Sequence, residues 1–228
     1  MTYGFDALPA ESACCAAKTW PERNVSAGIM LYVFGTVPDP NAISKDAHTQ
    51  TLYQVRNRLL EKIEEIAEGI GANDIRYANM ILLDTLNDCN LRVREIRSFL
   101  GQGIYLGGTV VYTSGKTFCA ISFGGSSVFR WSDHSITRLG NVPQDQLIRN
   151  ALGGREAWKP DIFLDDFTES DRGLLAISSW SVHTEFCLKQ LVEGIQSKSQ
   201  LVHTPSILIR HEVEKITGAP SAVMELLI

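Results

Sequence analysis

The sequence predicts an α+β fold, with antiparallel sheet at the centre and helices outside it. Three observations carry this. Two long segments place apolar residues on one side only, at helical spacing. A block of β-branched and aromatic segments separated by glycine turns comes next. Short apolar segments also stand near both chain ends, so the strands are not confined to one block.

Composition sets the frame. The chain has 228 residues, of which 44% are hydrophobic and 21% charged, close to a globular average. That length suffices for one sizeable core, and a single domain over 1–228 is expected. A net charge of -5 argues against a broad nucleic-acid or anionic-membrane surface. The five cysteines form no CxxC pair and no disulfide pattern, which suits a reduced cytoplasmic protein. No secretory leader is visible and no window is apolar enough to span a membrane.

Taken in order, residues 12–18 (SACCAAK) read as a short strand and TWPERN as a turn. Residues 28–34 (GIMLYVF) are continuously apolar, as in a strand buried on both faces. GTVPDPN then forces a loop. Leu52, Val55, Leu59, Ile63, Ile66 and Ile70 make one helical stripe, with Ser44 or Asp46 as its cap and Gly69 and Gly71 at its end. A second helix is expected from about Asn73 to Leu100, its stripe running through Ile75, Ala78, Leu82, Leu86, Cys89, Val93, Ile96 and Leu100. The short connection favours antiparallel neighbours in one domain over a coiled coil. Ile104–Thr113, Thr117–Phe123 and Ser127–Trp131 read as strands joined by hairpin turns at Ser114-Gly115 and Gly124-Gly125. A loop follows, then a strand at Gly173–Ser178 and a helix at Ser181–Ile195. A further helix opens at Thr204-Pro205, and a strand at Ser221–Ile228 closes the chain.

Several of these segments, in this order, resemble blocks of the metal-dependent serine/threonine phosphatases of the PP2C or PPM type. Gly107–Val111 resembles the family's Gly-Thr strand opening. FCAISFGGSSVFRW (Phe118–Trp131) resembles the segment written Asn-Val-Gly-Asp-Ser-Arg, and Ile136–Leu139 the stretch after it. Ala151–Gly154 resembles the alanine-leucine-glycine block. DRGLLAISSW (Asp171–Trp180) resembles the strand ending Ser-Asp-Gly, Ala219–Ile228 the closing Asp-Asn strand, and Ile29–Gly35 the early strand ending Asp-Gly. The resemblance covers the chain from about Ala13 onward. It implies a four-layer α-β-β-α sandwich with two central antiparallel sheets.

The family holds two divalent ions between aspartates at one edge of the sheets, and water bridging them attacks a phosphomonoester. Such ions need anionic oxygen ligands, because neutral groups offset little of the repulsion between two adjacent cations. At the matching positions this chain has Phe34-Gly35, Gly125, Ser179 and Ser221 instead of aspartate. The family's N-terminal acidic motif is expected near Trp20–Ala27, yet residues 7–38 contain no Asp, and only Glu11 and Glu22 are acidic there. The phosphate-binding arginine of the family would be replaced by Lys18 or Arg23. Phe34 and Trp180 are bulky enough to fill the space of ions and water. The resemblance therefore implies a degenerate member with no catalytic residues and no metal.

Other constellations have plainer readings. Asp161, Asp165, Asp166, Glu169 and Asp171 read as a solvated acidic loop without Ca²⁺-loop spacing. His183 and Cys187 share a helix face but have no third ligand nearby, and Asp133-His134-Ser135 reads as a turn. Arg76, Arg92, Arg94 and Arg97 flank the second helix's apolar seam and suit solvent or partner carboxylates. The expected function is binding: a noncatalytic, pseudophosphatase-type protein with no cofactor, nucleic acid or membrane. Its expected partner is a phosphoprotein or a kinase-pathway component. Two alternatives stay open, a divergent phosphoserine/phosphothreonine phosphatase with atypical ligands, and a structural or assembly subunit such as a homodimer.

Overall fold

A computed structural model of the chain describes residues 2–6, 13–34, 42–100, 103–132, 135–140, 150–156, 158–178, 193, 205–217 and 222–227. The strands are β1 (Thr2–Asp6), β2 (Ala13–Trp20), β3 (Val25–Phe34), β4 (Tyr105–Ser114), β5 (Thr117–Phe123), β6 (Ser127–Ser132), β7 (Ile136–Arg138), β8 (Asp161–Asp166), β9 (Asp171–Ile177) and β10 (Val223–Leu227). The described helices are α1 (Ala42–Glu68), α2 (Ile75–Leu100) and α3 (Pro205–Thr217).

Two five-stranded antiparallel sheets form the centre, in the orders β2-β3-β4-β5-β8 and β1-β10-β9-β6-β7. Strand alternation gives each sheet two apolar faces. In the first sheet, Ile29, Leu31, Val110, Tyr112, Cys119 and Ile121 lie against the stripes of α1 and α2. The intervening Met30, Val111, Phe118 and Ala120 meet Val128, Leu174, Ala176, Met224 and Leu226 of the second sheet. The apolar run is thus buried on both faces from residue 28 to residue 32, as its composition predicts. α3 packs on the outer face of the second sheet, against β1 and β10. The result is the α-β-β-α layering.

Local chemistry explains where most elements begin and end. Asp74 caps α2, its Oδ1 accepting from the backbone N–H groups of Arg76 (2.9 Å) and Tyr77 (3.1 Å). α1 ends at Gly69, whose N–H donates to the Glu65 carbonyl at 3.1 Å. α1 starts at Ala42, so Ser44 and Asp46 lie inside it and do not cap it. Ile70, assigned to the stripe, lies beyond the helix end and is fully exposed. Gly124 (φ +62°) and Gly125 (φ +84°) are both left-handed and turn the chain from β5 to β6, with the Ser126 N–H donating to the Phe123 carbonyl at 3.3 Å; the two strands lie in different sheets, so this turn crosses between the sheets and is not the hairpin that the sequence suggests.

Three strands escape the sequence reading, and one of them, β7, pairs with β6. β1 (Thr2–Asp6) pairs with β10. Asp161–Asp166 is no loop: it is β8, paired with β5 in the register Ile121↔Ile162 and Cys119↔Leu164. Most of the TWPERN turn is also otherwise arranged. Thr19 and Trp20 continue β2, Pro21–Arg23 form a single 3-10 turn, and β3 begins at Val25. The expected helix at Ser181–Ile195 lies outside the described residues except for residue 193, which is helical.

Candidate functional site

One end of the two sheets gathers the positions that the resemblance singles out. β3 ends there at Phe34, whose backbone pairs with Tyr105 at the start of β4. The β5–β6 turn with Gly125 lies at the same end. β9 finishes there at Ile177, which pairs with both Ser127 and Val223. The Ser178 N–H donates to the Ala222 carbonyl at 2.9 Å, and the Ala222 N–H donates to Ser178 Oγ at 2.6 Å. The sequence neighbours of Ser179 and Ser221 are therefore locked together. Gly35, Ser179, Trp180 and Ser221 themselves, and the side chain of Phe34, lie outside the described residues.

Hydroxyl groups tie this end together. Tyr32 Oη donates to the Gly124 carbonyl at 2.6 Å, across 92 positions of sequence. Thr109 Oγ1 and Ser126 Oγ are 2.6 Å apart, and Ser126 Oγ donates in turn to the Ile177 carbonyl at 3.4 Å. Ser126 has one hydroxyl proton, so Thr109 is the donor of the first bond. Ser122 Oγ donates to the Ser126 carbonyl at 2.7 Å. The chain of bonds runs from β4 through the turn to β9 and stitches the two sheets to each other. Burial pushes the Tyr32 phenol far above its ordinary range, so it remains a neutral donor. Sequence reasoning missed Tyr32, Thr109 and Ser122. They stand mid-strand among apolar neighbours, and only the pairing of strands shows that they converge.

Tyr32→Phe tests this network. It leaves the Gly124 carbonyl without its donor and is expected to lower the unfolding free energy by about 1–3 kcal/mol. Urea titration reads the effect, and an unchanged midpoint would mean that water replaces the phenol.

The structure separates Lys18 and Arg23 from this end. Lys18 pairs with Ala27, seven residues along β3 from Phe34, about 23 Å away at the usual strand rise. Its ammonium bonds Glu64 Oε1 on α1 at 2.9 Å. Arg23 donates to the Gly69 carbonyl at 2.7 Å and so covers the C-terminus of α1. The same register corrects the placement of the N-terminal acidic motif. Residues 20–27 span the β2–β3 hairpin at the far end, whereas Ala13 at the start of β2 pairs with Tyr32. It is the segment before Ala13, with Glu11, that precedes the Phe34 end in sequence, and it lies outside the described residues.

Among the described residues, the donor set at this end consists of neutral hydroxyls and backbone carbonyls; those of Tyr32, Thr109, Ser122 and Ser126 are engaged in the bonds above, and the Ser127 hydroxyl is buried without a partner. Among the described residues no group of three or more His, Cys, Asp or Glu is placed to hold a metal ion. These residues do not fit a pair of divalent cations, which requires several anionic oxygens. The described thiols are equally unsuited to nucleophilic work. Burial pushes Cys14 and Cys119 up to about 12 and Cys15 and Cys89 up to about 11, so all four stay protonated at neutral pH.

No protein-family model and no curated protein matches the chain in sequence. Solved structures do match its fold. A serine/threonine phosphatase of Staphylococcus aureus aligns with TM-score 0.67 and 12% identity, over 100% of this chain and 94% of that one. A bacterial serine phosphatase aligns with TM-score 0.66 and 13% identity, covering 100% and 97%. A C. elegans sex-determining protein aligns with TM-score 0.67 and 14% identity, covering 98% of this chain and 64% of that one. The chain has the fold of the PP2C-type serine/threonine phosphatases over its whole length.

Proposed function

We propose that this chain is a noncatalytic phosphatase-like protein that acts by binding a protein partner in the cytoplasm. The supporting observation is the closed set of neutral hydrogen bonds through Tyr32, Thr109 and Ser126 at the sheet ends. Two metal ions and their bridging water would need anionic oxygens at that end, and the Tyr32, Thr109 and Ser126 hydroxyls are neutral and already engaged. The neutral residues at 125, 179 and 221 point the same way. The partner expected is a phosphoprotein or a kinase-pathway component, the class of protein on which serine/threonine phosphatases of this fold act.

Calorimetric titration of the full chain with Mn²⁺, alongside hydrolysis of a phosphothreonine peptide in Mn²⁺ or Mg²⁺, tests the reading. No heat of specific binding and no turnover above buffer are expected. Saturable micromolar Mn²⁺ binding with metal-dependent turnover would establish a divergent phosphatase instead.

A further inference from the structure

We infer that the free edge of β8 is a docking site for an extended cationic segment of another protein, which adds to the first sheet as one more strand. This surface is distinct from the sheet ends described above and does not depend on what they do.

Among the described residues, β8 is the last strand of its sheet, paired with β5 on one side only. The Phe167 N–H donates to the Lys116 carbonyl at 2.7 Å, which fixes the phase of the ladder. Hydrogen-bonded pairs recur at every second residue of an antiparallel ladder. The odd-numbered residues of β8 therefore turn their backbone groups towards β5. Ile162, Leu164 and Asp166 turn theirs outward. The Asp166 N–H is already taken by Asp165 Oδ1 at 2.9 Å. That leaves the N–H and C=O of Ile162 and Leu164 as the open pairing groups of the edge.

The side chains at the same two residues are also unfinished. Ile162 is 42% exposed and Leu164 45% exposed, on the face that carries α2. Natural sheets normally keep apolar side chains off an unpaired edge, since the combination recruits other strands. Here the edge offers backbone pairing and two apolar contacts in alternation, which are the two components of strand addition.

Charge selects the occupant. Asp161, Asp165 and Asp166 give these six residues three carboxylates and no cation. A second copy of the chain pairing edge to edge would bring two such sets together on one ribbon, and like charges across a strand pair are destabilising. Alternation puts Asp161 and Asp165 on one face and Ile162, Leu164 and Asp166 on the other, so an extended segment alternating lysine or arginine with aliphatic residues sets its cations beside Asp161 and Asp165 and its aliphatic side chains beside Ile162 and Leu164. Arg130 ion-pairs with Asp165 and Asp171 and the Arg138 charge acts on Asp161, so two cations offset part of the charge of four carboxylates (Asp161, Asp165, Asp166 and Asp171) and reduce but do not reverse the acidity of the edge.

The probe is a fluorescent octapeptide of alternating lysine and isoleucine, with two controls: glutamate in place of lysine, and proline in place of the two central isoleucines. Binding is read by anisotropy and the site by amide hydrogen exchange. The alternating peptide is expected to bind and to slow exchange at the Ile162 and Leu164 amides, whereas both controls bind roughly tenfold more weakly or worse. Ile162→Lys and Asp166→Lys alter exposed side chains. Each is expected to weaken binding by a similar factor without changing the thermal midpoint. Several results would overturn the proposal: no protection at the two amides, equal binding by the proline-broken peptide, or unchanged affinity in both variants. Protection that instead grows with protein concentration without peptide would assign the edge to a second copy and also overturn it.

Discussion

Replacing Glu225 with leucine is expected to stabilise the protein by about 3 kcal/mol at pH 8 and to do so far less at pH 4. Ala222, Met224 and Leu226 of β10 face the other sheet, so alternation turns Glu225 to the outer face, where α3 packs. The residue is fully buried, and neither carboxyl oxygen has a hydrogen-bond partner. Its neighbours across the strands, Gly4 and Leu175, offer it none. Burial pushes the carboxyl from 4.5 up to about 7. The sign follows from which state holds the proton. Between pH 4.5 and about 7 the unfolded chain has lost this proton and the folded chain keeps it. Stability from this group is therefore complete below 4.5, falls as pH rises through that window, and is lost above about 7. A gap of that size corresponds to about 3 kcal/mol. Glu225→Gln, which cannot ionise, separates charge from packing: it should remove the same slope while still burying a polar group. Urea midpoints at pH 4.5 and 8 decide the matter. Parallel pH profiles for the wild type and both variants would show that Glu225 is solvated in the folded protein.

Glu225 also marks the limit of what the sequence makes legible. VMELL reads as a strand, but period-two alternation does not say which face is the wetter one, and here both faces are dry. The helices are easier. The stripe from Leu52 to Ile66 and that from Ile75 to Val93 are buried as their spacing predicts, because a one-sided helix of that length must lie on something apolar. β8 is harder, since its three aspartates outweigh Ile162, Phe163 and Leu164 in any local reading. An edge strand tolerates charge that a central strand would not, and only pairing with β5 reveals it. The sheet-end site divides along the same line. Gly124-Gly125 announces a turn locally, but not that the strands it joins, β5 and β6, belong to different sheets. That Tyr32 reaches the Gly124 carbonyl, and that Trp20–Ala27 lies far from Phe34, are consequences of strand register, which no local pattern encodes.

The second large effect concerns adjacent glycines on β4 that are tolerant to different degrees. A Cβ at Gly108 would lie 2.3 Å from the Met30 carbonyl oxygen and 2.8 Å from Leu31 Cδ2. The Met30 carbonyl belongs to β3 at the middle of the β3–β4 ladder, so it cannot withdraw without parting the two strands. Gly108→Ala is expected to cost about 3 kcal/mol or more, at the upper end of overpacking penalties. For a chain of this length that lowers the thermal midpoint by roughly 6–12 °C. A Cβ at Gly107 would meet the Tyr32 ring at 2.5 Å, its hydroxyl at 2.6 Å and the Gly124 carbonyl at 2.7 Å. A side chain can rotate where a ladder cannot, so Gly107→Ala should cost less, about 1–3 kcal/mol, by expelling the phenol from the Gly124 carbonyl. The two mechanisms separate in a double-mutant cycle. If Gly107→Ala acts by breaking the Tyr32–Gly124 bond, adding Tyr32→Phe should cost almost nothing further, whereas Gly108→Ala and Tyr32→Phe should approach additivity. Full additivity of Gly107→Ala with Tyr32→Phe would mean that the phenol holds its place and the β5–β6 turn moves instead, and the stitching of the sheet ends would then rest on Thr109 and Ser126.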